Sequence, residues 1–567
     1  MIKRWNKKEI GSEKTITALA ASLQVSPIIA SLLVQRGITT YDDAKAFFRP
    51  EMSALHDPFL MKDMDKAISR IEKAVAGGEK ILVYGDYDVD GTTSVALVYS
   101  FLKSFYPSVG SYIPDRYKEG YGISFQGIDY AKAEGYSLII ALDCGIKALE
   151  QIAKANELGI DFIICDHHRP GASLPKAVAV LDPKRADCSY PFDELSGCGI
   201  GFKLIQALAQ KRRIPESALH EYLDLVVVSI AADVVPINGE NRILAFHGLK
   251  RINSNAREGF RAILKMQNIK RPLTVSDLVF LIAPRINAAG RIESGNKAVE
   301  LLVSSNEQIA EAAGVHINRN NTDRKDLDMS ITQHALMMIE NDNVMKSRKS
   351  TVLFHSGWHK GVVGIVASRL TEKYYRPTII LTQNDNLITG SARSVKDFDV
   401  YQAIEACSDL LVQFGGHKYA AGLTMLPENL QAFTEKFEAV VSSTIEEYML
   451  TPEVEIDTEL RLNEIDGKLL RILKQFAPFG PANMAPIFQT NGVQDKGYAR
   501  IVGNNHLKLD IQDPEHPEIC LPAIAFGQAA HLESISRKIP FDVCYALEEN
   551  EFNGSVSLQL NVKDIRV

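Results

Sequence analysis

Three kinds of apolar spacing succeed one another along the chain. Residues 1 to about 78 carry apolar positions at helical intervals, as in Ile28-Ile-Ala-Ser-Leu-Leu-Val and Asp42-Asp-Ala-Lys-Ala-Phe-Phe, and Met64 to Ala76 repeats the pattern before Gly77-Gly78 stops it. From Ile81 the period changes. Ile81–Tyr84, Ser137–Leu142, Asp161–Cys165 and Lys176–Leu181 are short apolar runs of strand length, and Thr92–Leu102 and Ile146–Leu158 between them have the spacing of helices. Strands and helices alternating in this way are successive βαβ units, which require a parallel sheet. Ala298 through Asn341 reads as helix. A second α/β unit begins with the strand Thr351–His355, continues through a helix Ile365–Tyr374 and reaches the strand Pro377–Thr382. From about Val454 the period becomes two: Val454, Ile456, Thr458, Leu460 and Leu462, then Leu507, Leu509 and Ile511, then Val556, Leu558, Leu560 and Val562. Several strands in this span predict a small β-barrel, of the OB type or another.

Composition narrows the classes. A chain of 567 residues is long for one hydrophobic core and predicts three or four domains. No apolar run approaches the ~20 residues that span a bilayer, and the basic start lacks the apolar core of a leader, so a cytoplasmic protein without a membrane partner is expected. Seven cysteines without a C-x-x-C pair signal neither a zinc ribbon nor a disulfide framework, and are read as reduced, mostly buried thiols. The net charge of −7 argues against a uniformly basic coat for nucleic acid but leaves room for a basic groove.

The chemistry lies at the strand ends. Asp86, Asp88 and Asp90 follow the Ile81 strand, with Gly91 expected to loosen the turn into the next helix. Asp143 follows Ser137–Leu142, Asp166-His167-His168 follows Asp161–Cys165, and Asp182 follows Lys176–Leu181. In an open α/β sheet ligands bind at the carboxyl ends of the strands, which aligns all these groups along one edge. Three carboxylates so close repel one another, and a divalent cation is the usual means of keeping them ionised together. The opening of a calcium loop is matched too, but its last position falls on Leu97 where a Glu is required, and a strand precedes it. A solvated acidic turn is the plain alternative. Taken singly, Asp143 suits a turn or helix cap and the two histidines suit a surface pair; their convergence argues otherwise. Carboxylate with imidazole suits Mn²⁺ or a similar ion. The ligands suffice for two ions, and two ions ~3.5 to 4 Å apart stabilise the attacking and leaving oxygens in hydrolysis of a phosphate ester or anhydride.

Basic and aromatic residues offer a substrate wall. Ile113-Pro-Asp-Arg116 and Glu119-Gly-Tyr121-Gly suit a phosphate and a stacked base. Pro284-Arg285-Ile-Asn287-Ala-Ala-Gly-Arg291 suits a bidentate phosphate clamp, with a surface salt bridge as the alternative for Arg285. Gly390-Ser391-Ala-Arg393-Ser and Gly415-Gly416-His417-Lys-Tyr-Ala-Ala-Gly422 read as a phosphate cradle of exposed backbone N–H groups.

Asp86-Tyr-Asp-Val-Asp90, Asp143-Cys-Gly, Asp166-His-His168 and Ala232-Asp233-Val-Val-Pro236 resemble, in order, the motifs of the DHH phosphoesterase superfamily, and most of all its RecJ family of bacterial single-strand-specific 5′ to 3′ DNA exonucleases. Tyr190-Pro-Phe, Gly197-Cys-Gly-Ile-Gly-Phe-Lys203, Trp358-His-Lys-Gly-Val-Val-Gly and the Gly415–Gly422 signature of the DHH-associated domain extend the resemblance. Phe476-Ala-Pro-Phe-Gly-Pro-Ala-Asn483 is an altered form of the segment that introduces the family's OB domain, and Asp115 stands where the family more often has Asn. The resemblance does not reach the extra C-terminal domain of some longer relatives.

The resemblance implies an α/β fold of two lobes, DHH and DHH-associated, flanking a cleft and joined by a helical connector, plus a C-terminal OB-like β-barrel. The implied divisions are a helical segment 1–78, a DHH domain 79–240, a connector 241–348, a DHH-associated domain 349–448 and an OB domain 454–567. It implies two divalent cations, Mn²⁺ or Mg²⁺, held by Asp86, Asp88, Asp90, Asp143, His167 and Asp233, with Asp143 bridging and Asp166 and His168 in support. Arg116, Tyr121, Arg285, Asn287, Arg291, Ser391, Arg393, Gly416 and His417 would bind substrate, and Asn505–Lys508 would contact it on the barrel. The expected partner is single-stranded DNA, with single-strand-binding protein and a helicase as protein partners of a monomer. Two rival readings are a DHH phosphodiesterase for oligonucleotides or cyclic dinucleotides, which would not need the barrel, and a silent replication or repair scaffold, which would not need the complete ligand set.

Overall fold

A strand opens the chain, contrary to the helical expectation for residues 1–78. In the computed structural model, which describes residues 2–267, 269, 271–292, 294–552 and 555–567, β1 (Arg4–Lys7) pairs in parallel with Glu453–Ile456. The Trp5 indole donates to Asp564 Oδ2 at 2.8 Å and the Arg566 guanidinium lies 4.2 Å from the ring centre. Four residues are too few for a period to show, and the partner strand is far off in sequence. The helices expected next are present at Glu13–Leu23, Pro27–Val34, Tyr41–Phe48 and Met64–Gly77.

The chain divides into two units, one of residues 9–321 with 465–486, the other of residues 2–8, 322–464 and 487–567. The first is built on five parallel strands, β2 (Lys80–Gly85), β3 (Val109–Tyr112), β4 (Tyr136–Leu142), β5 (Asp161–Cys165) and β6 (Ala179–Leu181), in the order β3-β2-β4-β5-β6. The inner strands are apolar on both faces because helices cover both. Helix α1 (Val89–Lys103) packs against α2 (Gly197–Arg212) and α3 (Leu223–Ala232), all three largely buried. The sheet grows from β2 to β3 on one side and resumes with β4 on the other. The strand order therefore reverses between β2 and β4, and such a switch point leaves a crevice at the carboxyl ends of the two strands.

Helix α4 (Ala283–Ile292) follows a π-helical turn at Leu278–Ile282. The single helix expected over 298–341 is two, Gly295–Val303 and α5 (Glu307–Glu340), because the Asn306 side chain accepts from Ile309 N at 3.1 Å and starts a new helix.

In the second unit β7 (Thr351–Phe354), α6 (Val363–Tyr374), β8 (Thr378–Asn384), β9 (Leu387–Arg393), β10 (Gln413–His417) and β11 (Ala420–Met425) make a sheet in the order β10-β11-β9-β8-β7, parallel only between β7 and β8. The last part of the chain holds β12 (Glu453–Ile456), β13 (Thr458–Glu459), β14 (Phe488–Asp495), β15 (Arg500–Val502), β16 (His506–Gln512), β17 (Cys520–Ala525), β18 (Phe541–Phe552) and β19 (Ser555–Arg566). Hydrogen bonding runs β14-β18-β19-β17-β16, with β17 and β19 parallel and β14 also paired to β16 at Gln494–Asp495. That connectivity is the five-stranded Greek key of an OB fold. Among the described residues no single helix is long and apolar enough to cross a membrane, and all seven cysteines are free.

Candidate active site

The crevice between β2 and β4 receives the acids. Asp88 caps α1, its Oδ1 accepting from Gly91 N at 2.9 Å, so the helix begins at Val89 and Asp90 already sits in its first turn. Gly91 is therefore a helical residue and not the loosened turn expected. A Cβ there would lie 2.3 Å from the Asp86 carbonyl oxygen, so only glycine lets the helix approach the strand end. Gly91→Ala is expected to displace the carboxylates on both sides and weaken Mn²⁺ binding about tenfold or more, read by titration calorimetry.

Asp90 is held by three donors. Its carboxylate accepts from Gly197 N at 2.7 Å and Cys198 N at 2.8 Å, at the start of α2, and from Ser229 Oγ at 2.7 Å. A helix N-terminus offers two amides and a favourable dipole to an anion. Asp143 follows β4 in a left-handed conformation, φ 59°, with its amide tied to Cys165 O at 2.8 Å. Gly197 makes room for it, since a Cβ at 197 would stand 2.7 Å from Asp143 Cβ. Asp233 comes directly after α3.

The ligand atoms of Asp143, His167 and His168 lie within 4.8 Å of one another, as do those of Asp90, His167 and Asp233. His167 Nε2 is 3.1 Å from Asp143 Oδ1, 3.6 Å from Asp233 Oδ2 and 3.8 Å from Asp90 Oδ2. Both His167 ring nitrogens, Asp143 Oδ1 and Asp86 Oδ2 are nonetheless buried without a hydrogen-bond partner. Buried polar atoms are ordinarily satisfied, and this set of oxygen and imidazole donors is that of a first-row divalent cation. The residues fit such an ion. Asp86 and Asp88 stand outside those groups: Asp86 Oδ1 accepts from Gly122 N at 3.2 Å, and Asp88 is engaged as the helix cap.

Asp166 turns away from the ligand atoms. Its Oδ1 accepts from the amides of His167 and His168 at 2.8 and 3.1 Å and pairs with His168 Nδ1 at 2.8 Å, while Oδ2 accepts from Ile146 N at 2.9 Å. Burial pushes its carboxyl up, but these bonds and the His168 charge outweigh it and hold the group down at about 2. Burial likewise lowers His168, and the Asp166 bond overrides it, raising the imidazole to about 9. The pair is thus ionic at neutral pH, with His168 Nε2 3.3 Å from the Tyr121 hydroxyl.

Asp143, Asp233 and Asp182 are shifted the other way. Burial and the charges of Asp90 and Asp88 raise Asp143 well above the carboxylate range, and the same causes raise Asp233 from 3.8 to about 8. Asp182, buried behind Asp166, is raised to about 7, chiefly by burial. A carboxyl whose folded value is raised binds more protons folded than unfolded, so its effect is to lower stability as pH climbs between the two values. His168 acts in the same direction, its contribution being complete below 6.5 and lost through about 9. Asp166 opposes only below 3.8. Metal-free protein is therefore expected to unfold at a lower temperature at pH 8 than at pH 5, with Mn²⁺ reducing the difference; thermal melts with chelator and with Mn²⁺ check it.

Tyr87, between two of the acids, was not marked by its sequence neighbourhood, yet it organises the wall. The Arg116 guanidinium lies 4.7 Å from its ring centre and Tyr121 meets it edge-on at 6.1 Å. Helix α4 presses on it, because a Cβ at Gly290 would be 2.8 Å from Tyr87 O, and the Tyr117 hydroxyl donates to Arg291 O on the same helix. Asn287 is half-buried on α4. The Asp115 carboxylate accepts from Tyr117 N at 2.9 Å and Lys118 N at 3.0 Å, a turn that Asn would make equally well. Arg285 corrects the clamp reading: it lies in a helix, is buried, and uses its guanidinium on Asn318 Oδ1 at 3.0 Å and Leu281 O at 2.6 Å.

In the second unit the stretches read as a phosphate cradle lie in strands. Residues 390–393 lie in β9, 415–417 in β10 and 420–422 in β11, with Gly422 opposite Ser391, Ala420 opposite both Arg393 and His417, and β10 at the edge of the sheet. What this sheet presents is side chains: Arg393 donates to Ser391 Oγ at 2.7 Å, and both converge on Gly364 in the first turn of α6, where a Cβ would be 3.0 Å from the guanidinium and 3.1 Å from Ser391 Oγ. His417 and Gly416 are exposed on β10.

Comparison with known proteins matches this architecture domain by domain. Residues 80–230 match the DHH family N-terminal domain, 347–443 the DHHA1 domain and 456–564 the RecJ OB domain. The chain is 35% identical to the single-stranded-DNA-specific exonuclease RecJ of Bacillus subtilis, over all of this chain and 71% of that protein. It is 32% identical to the RecJ of Escherichia coli over 96% of each. Its structure superposes on a crystal structure of RecJ in complex with Mn²⁺ from Thermus thermophilus with a TM-score of 0.85 at 28% identity, covering 100% of this chain and 79% of that one. With the switch-point acids, the paired imidazoles and the C-terminal OB fold all in place, the chain belongs to the RecJ family of the DHH phosphoesterase superfamily.

Proposed function

We propose that the protein is a single-stranded-DNA-specific exonuclease that hydrolyses terminal phosphodiesters from the 5′ end, in DNA repair and recombination in the cytoplasm. The observation that carries the reading is the set of unpartnered buried ligand atoms of Asp143, His167 and Asp86 at the β2/β4 switch point. When bound, two divalent cations, Mn²⁺ or Mg²⁺, supply the Lewis acidity that stabilises the attacking and leaving oxygens.

Asp90, Asp143, His167 and Asp233, with Asp86 and Asp88 beside them, would hold the cations. Asp166 fixes the His168 ring and its charge, so that Nε2, beside the Tyr121 hydroxyl, is offered to a phosphate oxygen. Arg116 and Tyr121 receive the terminal nucleotide, while Ser391 and Arg393, at the first turn of α6, suit a phosphate. On the barrel Tyr498 and Phe526 are exposed, and the His506 ring meets Phe526 at 5.1 Å, next to Lys508. Aromatic rings with neighbouring cations bind a single strand by stacking and charge. Such contacts do not read base edges, so little sequence preference is expected. The protein would act as a monomer, with single-strand-binding protein and a helicase supplying its strand.

Hydrolysis rates on long single strands, blunt duplex and di- to pentanucleotides test the reading. Preference for the long strand by at least about tenfold supports it; turnover confined to the short oligonucleotides contradicts it.

A further inference from the structure

We propose that Arg242 is a positioning residue for the Asp233 loop, and that residues 476–483 are the surface against which it holds that loop. The proposal rests on Asp233 being a cation ligand. Directly after Asp233 the backbone is strained: Val234, a β-branched residue, has φ 60°. Such a conformation persists only where its surroundings over-determine it. The restraints lie just beyond. Pro236 O accepts from Asn241 Nδ2 at 3.0 Å, and Ile237 N donates to Pro481 O at 2.7 Å.

Arg242 closes the arrangement from below. It is 5% exposed, yet no carboxylate pairs with it among the described residues; its guanidinium donates to Phe47 O at 3.0 Å, Phe476 O at 2.9 Å, Ala477 O at 3.2 Å and Pro478 O at 3.4 Å, over the Phe47 ring at 3.6 Å. A buried cation answered only by carbonyl dipoles is tolerated when its fork of donors is well used. Here those donors gather one segment of backbone. Asn483 completes the knot, its Nδ2 donating to Phe476 O at 2.9 Å and Pro478 O at 2.8 Å. Gly480 lets the segment touch the loop, since a Cβ there would be 2.5 Å from Ile237 Cδ1.

The segment is more than a linker. Residues 465–486 belong to the unit that holds the acids, whereas the residues before and after them belong to the other unit. The chain thus leaves the C-terminal domain, builds the support for one ligand loop, and returns. A plain connection between domains would need neither a buried arginine nor a backbone hydrogen bond to a loop four residues from a ligand.

Mn²⁺ titration calorimetry on the full-length protein, beside the Mn²⁺ dependence of single-strand hydrolysis, tests the proposal with Asp233→Asn as reference. Arg242→Met is expected to weaken the Mn²⁺ affinity that Asp233→Asn removes by about tenfold, and to raise the Mn²⁺ concentration for half-maximal rate equally, with kcat at saturating Mn²⁺ within about twofold of wild type. Gly480→Ala should shift both in the same direction, by about threefold. A merely structural role would lower the melting temperature and leave both Mn²⁺ dependences unchanged. That result in folded Arg242→Met, or in Gly480→Ala if the arginine variant does not fold, overturns the proposal. If Asp233→Asn itself leaves Mn²⁺ binding unchanged, the ligand assignment fails and the proposal falls with it.

Discussion

Asp143→Asn is expected to lower kcat on single-stranded DNA by at least about a thousandfold, more than the loss from removing one preorganised transition-state donor, and to abolish the rise in melting temperature that Mn²⁺ gives the wild type. Asparagine is the informative replacement. It keeps the shape of the side chain and tolerates the left-handed φ of 59° that alanine would strain, so lost activity cannot be ascribed to a displaced loop. The metal-free variant is expected to be at least as stable as the metal-free wild type. Asp143 is buried among Asp90, Asp88, Asp233 and Asp166, and its charge is disfavoured there; neutralising it removes repulsion that a cation or a proton otherwise relieves. A variant that is inactive but no longer stabilised by Mn²⁺ separates a ligand from a merely structural acid.

Lys203→Met should be the most damaging single change to stability. The Lys203 and Glu240 side chains are 0% and 1% exposed and 2.6 Å apart. Glu240 also accepts from His56 N at 2.9 Å and the Tyr190 hydroxyl at 2.7 Å, and Lys203 donates to His56 O at 2.9 Å. Removing one member of such a pair leaves an uncompensated buried charge and costs about 3–5 kcal/mol. Glu240→Gln in the Lys203→Met background removes the stranded charge while its amide oxygen can still accept from His56 N and its NH2 can donate to the Tyr190 hydroxyl oxygen. The double variant is therefore expected to recover part of the loss, as seen in urea denaturation midpoints. Equal loss in the single and double variants would show that packing, not charge, dominates.

Much of the fold could be read before the structure because two periods could: runs of strand length with acids at their ends place those acids in one crevice of a parallel sheet. Topology then did what spacing could not, placing the reversal of strand order between β2 and β4, where Asp90 and Asp143 emerge. What stayed hidden depended on contacts distant in sequence. Nothing near Ser229 marks it as a donor to Asp90, and nothing in Arg4–Lys7 announces a partner strand near residue 455. Gly91 and Gly197 were visible as glycines, but their purpose, close approach to Asp86 and Asp143, requires coordinates. Arg285 shows the opposite error: two arginines on a Gly- and Asn-containing stretch suit a phosphate clamp, but the stretch is helical and turns one arginine inward.

The central claim is most directly tested by digesting single-stranded DNA labelled at its 5′ or its 3′ end in the presence of Mn²⁺. Immediate release of labelled mononucleotide from the 5′-labelled strand, with the 3′ label retained on progressively shorter products, is the expected result. Release from the 3′ end first, or intact long strands under conditions in which short oligonucleotides are cleaved, would contradict it.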